Sequence, residues 1–244
     1  MDLAEMNEYE AFVAGRREAI LERLAQAAAA SGRTRDDVTV LAVSKTVSAN
    51  EVLCAWHAGY RAFGENRPQE LRRKADAIDN TPEMAGARLD MIGNLQTNKI
   101  NQVLGCAELI HSVSSLHLAE AISKRALAKG LVAKVLLEVN VSGEESKSGF
   151  SPALVTEQLD EMLTLPGLAL EGLMTMAPAN DSSEARRTFS GLRELREDLR
   201  GRSGRSLDVL SMGMSDDFGI AVEEGSTLIR LGRVVFDPSH PLGE

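Results

Sequence analysis

From residue 38 onward, short apolar runs alternate with longer amphipathic ones, and this rhythm constrains the chain more than any other feature. The short runs are VTVLAVS (38–44), YRAFG (60–64), RLDMIG (88–93), ELIHSV (108–113), AKVLLEVNV (133–141), LALEGLMTM (168–176), LDVLSMG (207–213) and TLIRLG (227–232). They are nearly continuous in apolar character, as parallel strands covered on both faces should be. Between them, segments near 49–58, 67–78, 96–104, 115–129, 152–163, 182–201 and 216–224 read as helices. Start signals support several: Ser48 stands three residues before Glu51, Ser151 precedes Pro152, and Asp181 precedes Glu184 by three. About eight β/α alternations without a long polar linker predict an α/β fold, a single (β/α)8 TIM-type barrel forming one domain over residues 1–244. An open doubly wound sheet remains the structural rival, because alternation does not demonstrate closure. Residues 7–30 add an alanine-rich helix with Phe12, Val13, Ile20, Leu21 and Leu24 at a period near 3.6. The segment 1–32 is therefore an extra N-terminal helix packed on the barrel.

Composition narrows the function. A net charge of -9 argues against a nucleic-acid partner, since phosphate neutralisation needs a basic surface. The two cysteines, Cys54 and Cys106, have no metal-ligand or C-x-x-C spacing, and His57, His111, His117 and His240 form no H-x-x-x-H pair, so no metal is expected. The acidic start MDLAEMNEYEAF is not a signal peptide, and no run approaches the length of a membrane span. The expectation is a cytoplasmic protein with no membrane contact, and a monomer, since no exposed apolar stripe is evident.

In such barrels function gathers at the C-terminal ends of the strands. Those ends carry Lys45, Glu65 and Asn66, Asn94 and Gln96, Ser112 and Ser114, Asn140 and Ser142, Met174 and Thr175, Ser211 to Ser215, and Arg230 to Arg233. Lys45 closes an apolar strand just before a helix start. A desolvated lysine there would favour the neutral amine, which condenses with aldehydes; the plainer alternative is a lysine whose head reaches water. Arg230 is a cation embedded in LIRLG, which must pair with an acid or meet a ligand. The turn Gly213-Met214-Ser215-Asp216-Asp217 and Gly232 follow strands seven and eight, where barrels often bind phosphate. Alternatively, Ser215 caps a helix and the glycines merely turn the chain.

The blocks AVSKT, FGENRPQE, MIGNLQTNK, HSVSS, LLEVNVSGEESKSGF, GLMTMAP, LSMGMSDDF and GSTLIRLGRVVF run in order along residues 42–236. Together they resemble the pyridoxal 5′-phosphate homeostasis proteins, the YggS/PROSC family. The resemblance implies a barrel related to the N-terminal domain of alanine racemase, with pyridoxal phosphate (PLP) held as a Schiff base on Lys45. It also implies Asn66 beside the cofactor ring, Arg230 facing the pyridine nitrogen, Ser215 with the backbone of Gly232 and Arg233 on the phosphate, and Ser211 and Met212 along the floor. Three positions depart from the family's pattern. Arg233 replaces a threonine, exchanging a hydroxyl contact for a guanidinium able to clamp phosphate. Arg67-Pro68 replaces an aromatic-valine pair, and Asp237-Pro238 stand where glycine often follows the last strand.

The implied role is a carrier or buffer in vitamin B6 homeostasis that hands PLP to apo-enzymes, without established turnover. An arginine cannot accept a hydrogen bond from the ring nitrogen, which weakens the electron sink that PLP enzymes need. Two rivals remain: a weak PLP-dependent racemase or lyase, and an interaction protein using the Arg/Glu-rich helix 181–202 as its docking surface. Lys147, at the same mouth after strand five, is a candidate second amine for PLP; its alternative is a solvated loop lysine.

Overall fold

The computed structural model describes residues 2–144 and 147–242. Its eight strands are β1 (Thr39–Val43), β2 (Ala62–Glu65), β3 (Arg88–Met91), β4 (Leu109–Val113), β5 (Ala133–Glu138), β6 (Leu168–Met174), β7 (Val209–Ser211) and β8 (Leu228–Leu231). All pair in parallel in chain order, and β8 returns to β1 through the register Leu41↔Arg230, so the sheet is a closed barrel. Closure rules out the open sheet.

The helices are α1 (Leu3–Ala30), α2 (Ala49–His57), α3 (Pro68–Asp79), α4 (Ile100–Val103), α5 (Leu116–Ala128), α6 (Pro152–Leu163), α7 (Ser182–Ser203), α8 (Phe218–Glu223) and α9 (Arg233–Phe236). Their starts follow local chemistry. Ser48 and Glu51 form the reciprocal capping box of α2, with Ser48 N donating to the Glu51 carboxylate at 2.6 Å. Ser151 Oγ accepts from Leu154 N at 3.2 Å, ahead of proline in the first turn of α6. Pro68 does the same for α3, so the Arg67-Pro68 departure serves as a helix start. The long α1 buries Val13, Ile20, Leu24 and Ala28 and packs on α2, α8 and α9; Tyr9 Oη ties it down by donating to the Phe236 carbonyl at 2.8 Å.

Strand alternation divides the core. Leu41, Ala62, Leu109, Leu136, Met174 and Leu228 form the apolar plug inside the barrel, with Ile92 and Val209 against it. Two larger clusters fill the layer between strands and helices. Two residues beyond Leu109, Leu136, Val209 and Leu228 stand His111, Glu138, Ser211 and Arg230, all buried. The period of two points these side chains inward as well, so a polar layer lies between the apolar plug and the mouth.

Candidate functional site

Around Lys45, the ladder between β1 and β2 runs one residue past the strand, with Ser44 N donating to the Gly64 carbonyl at 3.0 Å. The chain then turns, closed by Val47 N on the Ser44 carbonyl at 3.2 Å, and Lys45 projects from that turn. Lys45 is exposed and its ammonium has no partner among the described residues, which corrects the expectation of a desolvated amine. The buried lysine of this corner is Lys74. On α3 it follows Leu71 along the inward face, and its ammonium reaches the Ser44 carbonyl and the Glu65 carboxylate. Ser44 Oγ donates to the same Glu65 oxygen at 2.6 Å. Glu65 thus serves the architecture, holding the turn that carries Lys45. Sequence reading missed Lys74, although a cation at an apolar position of a 3.6-residue pattern was the available signal.

Asn66 follows at the tip of β2, half-buried. Its backbone lies against Gly93, where an added Cβ would come 2.2 Å from the Asn66 carbonyl oxygen. Only glycine permits that approach, and it fixes Asn66 beside the start of the third loop. Ser112 Oγ, donating to the Gly93 carbonyl at 2.6 Å, secures the same point.

Arg230 lies across the barrel interior, 5% exposed. Its Nη1 donates to the Ser211 carbonyl at 2.7 Å and to Ser211 Oγ at 2.6 Å, and its Nη2 donates to the Thr175 carbonyl at 3.0 Å. Among the described residues no carboxylate pairs with it, and its Nε–H is unspent. The structural ion pair considered for this residue is therefore not what holds it. Burial lowers its pKa to about 10, with the Asp217 and Glu138 charges opposing, so it stays cationic at neutral pH.

Ser211 Oγ continues into a buried chain, lying 2.9 Å from His111 Nδ1, while His111 Nε2 lies 2.9 Å from Asp90 Oδ2. Burial alone would raise the Asp90 pKa, but hydrogen bonds from His111 and Arg88 outweigh it and hold the carboxylate below its usual range. For His111, burial dominates and pushes the imidazole below its ordinary value. A neutral imidazole beside a carboxylate must donate from Nε2, leaving Nδ1 to accept the Ser211 hydroxyl proton. The order Ser-His-Asp resembles a hydrolytic triad, yet all three residues are buried and the hydroxyl is occupied by Arg230. The chain orients Arg230; it offers no nucleophile to solvent. His111 and Asp90 were also missed from sequence, because neighbouring strands bring them together across the barrel.

At the ends of β7 and β8, Gly213 adopts φ +97°, and a Cβ there would come 2.6 Å from Ala221 Cβ. The tight turn delivers Ser215, buried, whose Oγ accepts from Val234 N at 3.3 Å. Ser215 therefore joins the start of α9 rather than capping α8; Asp217 closes the preceding turn by accepting from Met214 N at 2.6 Å. Gly232 precedes α9 against Val43. Arg233 is exposed and pairs with Asp216 at 2.6 Å, so its guanidinium is engaged on the surface. Met212 faces the helix layer, in the cluster with Leu192, Leu199 and Ala221, which corrects its assignment to the floor; Ser211 does face inward. Lys147 pairs with Glu144 at 3.0 Å and reaches the Met176 carbonyl at 3.4 Å, while Glu145 and Ser146 of its loop lie outside the described residues. The structure thus gathers Lys45, Asn66, Ser211, Ser215, Arg230, Gly232 and Arg233 at strand ends on one side of the barrel.

Comparison with known proteins agrees with this architecture. The family described as alanine racemase, N-terminal domain, matches residues 16–239. The pyridoxal phosphate homeostasis protein of Aquifex aeolicus is 39% identical over 218 residues, covering 89% of this chain and 94% of that one. PipY of Synechococcus elongatus, solved with PLP bound, superposes with a TM-score of 0.79 at 30% identity, covering 92% of this chain and 99% of that one. Alanine racemase of Clostridium difficile, at 18% identity and a TM-score of 0.65, covers 83% of this chain and 53% of that one, and shares the fold. The chain belongs to the alanine racemase N-terminal domain family and, within it, to the pyridoxal phosphate homeostasis proteins.

Proposed function

We propose that this protein binds PLP at the barrel mouth and holds it covalently through Lys45, as a carrier or buffer of the vitamin in the cytoplasm. The observation that carries this reading is Arg230: a buried cation with no carboxylate partner among the described residues and two of its five N–H donors, Nε–H among them, unspent. A buried charge left without an acid is costly unless a ligand meets it. An unprotonated pyridine nitrogen accepts hydrogen bonds and fits that donor.

PLP would supply an aldehyde that condenses with a primary amine, releasing water. In this reading Ser215 and the backbone of Gly232 and Arg233 hold the phosphate, Arg230 holds the ring nitrogen, and Asn66 flanks the ring. Lys45 need not be buried to react. Once ring and phosphate are anchored beside it, the encounter becomes effectively intramolecular, which raises the effective concentration of the amine by orders of magnitude. Lys74, ion-paired with Glu65, is not free to compete. The PLP-bound structure of PipY supports PLP as the ligand.

The same geometry favours holding over turnover. A guanidinium donating to the ring nitrogen keeps that nitrogen unprotonated and the electron sink weak. Racemisation also needs a base on the opposite face of the substrate. Neither tyrosine supplies one: Tyr9, on α1, is bonded to the Phe236 carbonyl of α9, and Tyr60 is buried just ahead of β2. The homeostasis names of the relatives accord with this. The test is titration of the apo-protein with PLP, followed through the visible band of the adduct, beside a panel of amino acids assayed for racemisation and lyase products. A saturable band without turnover above free PLP supports the carrier. Absence of the band, or amino-acid turnover well above free PLP, contradicts it.

A further inference from the structure

Glu138 is the last residue of β5 and is 2% exposed. Leu136, two residues earlier, belongs to the plug inside the barrel, so the strand period turns Glu138 inward, one layer nearer the mouth. Its carboxyl group makes no hydrogen bond or ion pair among the described residues, and Oε2 is sealed from solvent with no partner. Arg230 attracts it electrostatically, but the Arg230 bonds go to Ser211 and Thr175. A buried acid left unsatisfied costs stability and calls for an explanation beyond packing. Leucine or methionine would fill this position without that cost.

The explanation follows from the ligand's chemistry, and it rests on the reading of the mouth given above. PLP carries four polar positions: the aldehyde, the phosphate, the ring nitrogen and the phenolic oxygen at C3. Lys45, Ser215 with Gly232, and Arg230 take the first three. We infer that Glu138 is a further ligand-binding residue whose inward carboxyl group hydrogen-bonds the C3 phenolic oxygen of the bound pyridoxal ring. One proton lies between the two oxygens. Burial, opposed by the Arg230 charge, raises the carboxyl pKa, so the acid form can donate to a phenolate while the ionised form can accept from a phenol.

The experiment measures dissociation constants for PLP and for 3-deoxypyridoxal 5′-phosphate, which lacks the phenol. The proteins are the parent chain, Glu138→Leu and Glu138→Gln; borohydride fixation and mass spectrometry locate the adduct. Glu138→Leu should weaken PLP about tenfold and leave the deoxy analogue within about twofold, with both ligands still fixed on Lys45. Glu138→Gln, which keeps donor and acceptor atoms, should stay within about threefold of the parent for PLP. The apo form of Glu138→Leu should melt at a higher temperature than the parent, the signature of an acid kept for binding rather than for the fold. Unchanged PLP affinity in Glu138→Leu, equal losses for both ligands, or a lower apo melting temperature would overturn the inference while leaving Lys45 and Arg230 in their roles. Failure of the parent chain to bind PLP would overturn the reading of the whole mouth.

Discussion

Two arginines point into the same barrel from neighbouring levels, and they are treated differently. Arg88, at the start of β3, donates from Nε and Nη2 to the two oxygens of Asp90, both at 2.8 Å. Nearby at the same floor, Lys134 pairs with Glu108. Arg230, toward the mouth, has two carbonyls and a hydroxyl but no carboxylate among the described residues. The lysines of the first corner repeat the contrast, with Lys74 buried on Glu65 and Lys45 exposed without a partner among the described residues. Charge that serves the fold is neutralised inside the chain, whereas the two cations proposed to meet PLP are positioned without an acid among the described residues.

The strongest way to break this contrast is to remove the floor arginine. Arg88→Met leaves Asp90 buried with His111 alone, and should cost about 3–5 kcal/mol in urea unfolding while leaving PLP affinity within about twofold. Arg230→Met should behave in the opposite sense. PLP affinity should fall by about ten- to a hundredfold in a spectral titration, while stability holds or rises, because a buried charge is exchanged for apolar volume. Equal stability losses in the two variants would erase the distinction between floor and mouth.

Acid should act on the buried chain between them. His111 is held neutral with its folded pKa below the unfolded value of about 6.5, so the unfolded state takes up the proton first. Its contribution is present in full above that value and is lost as pH falls toward the folded pKa, at up to about 1.4 kcal/mol per pH unit. Asp90, with its carboxyl held low, extends the loss below pH 4 or so. Melting temperatures from pH 7.5 to 5 should therefore decline, and less steeply in His111→Gln, which does not titrate. A profile unchanged by that substitution would remove His111 from the account. The smallest effect belongs to Arg233→Ala: an exposed pair with Asp216 should contribute less than about 1 kcal/mol to stability. If Arg233 stays on Asp216 and leaves the phosphate to backbone groups, PLP affinity should change by less than about threefold; a larger loss would return it to a clamp.

The sequence carried the barrel well because its signals are local. The Ser48–Glu51 box, the Ser151-Pro152 start and the apolar strand runs each depend on a few neighbouring residues. The mouth was legible where one residue type is unusual in place, as with Arg230 inside LIRLG. It was not legible where the meaning depends on a partner far away in the chain. Lys74 read as one more helix lysine until Glu65 and Ser44 came beside it. His111 gained its role from Asp90 and Ser211, 21 and 100 residues distant. Lys45 stands just past its strand, as its sequence implied, but local residues did not decide between a desolvated amine and one in water; Met212 turns to the helix layer while its neighbour Ser211 faces inward.

The central claim is that the free amine of this mouth, on Lys45, is the one that captures the aldehyde. Reduce the PLP-loaded protein with borohydride at substoichiometric ligand, digest it, and locate the modified lysine by mass spectrometry. The account predicts the adduct on Lys45 and its loss in Lys45→Ala; a parent chain with Lys45 unmodified and the adduct on Lys147 or Lys74 would contradict it.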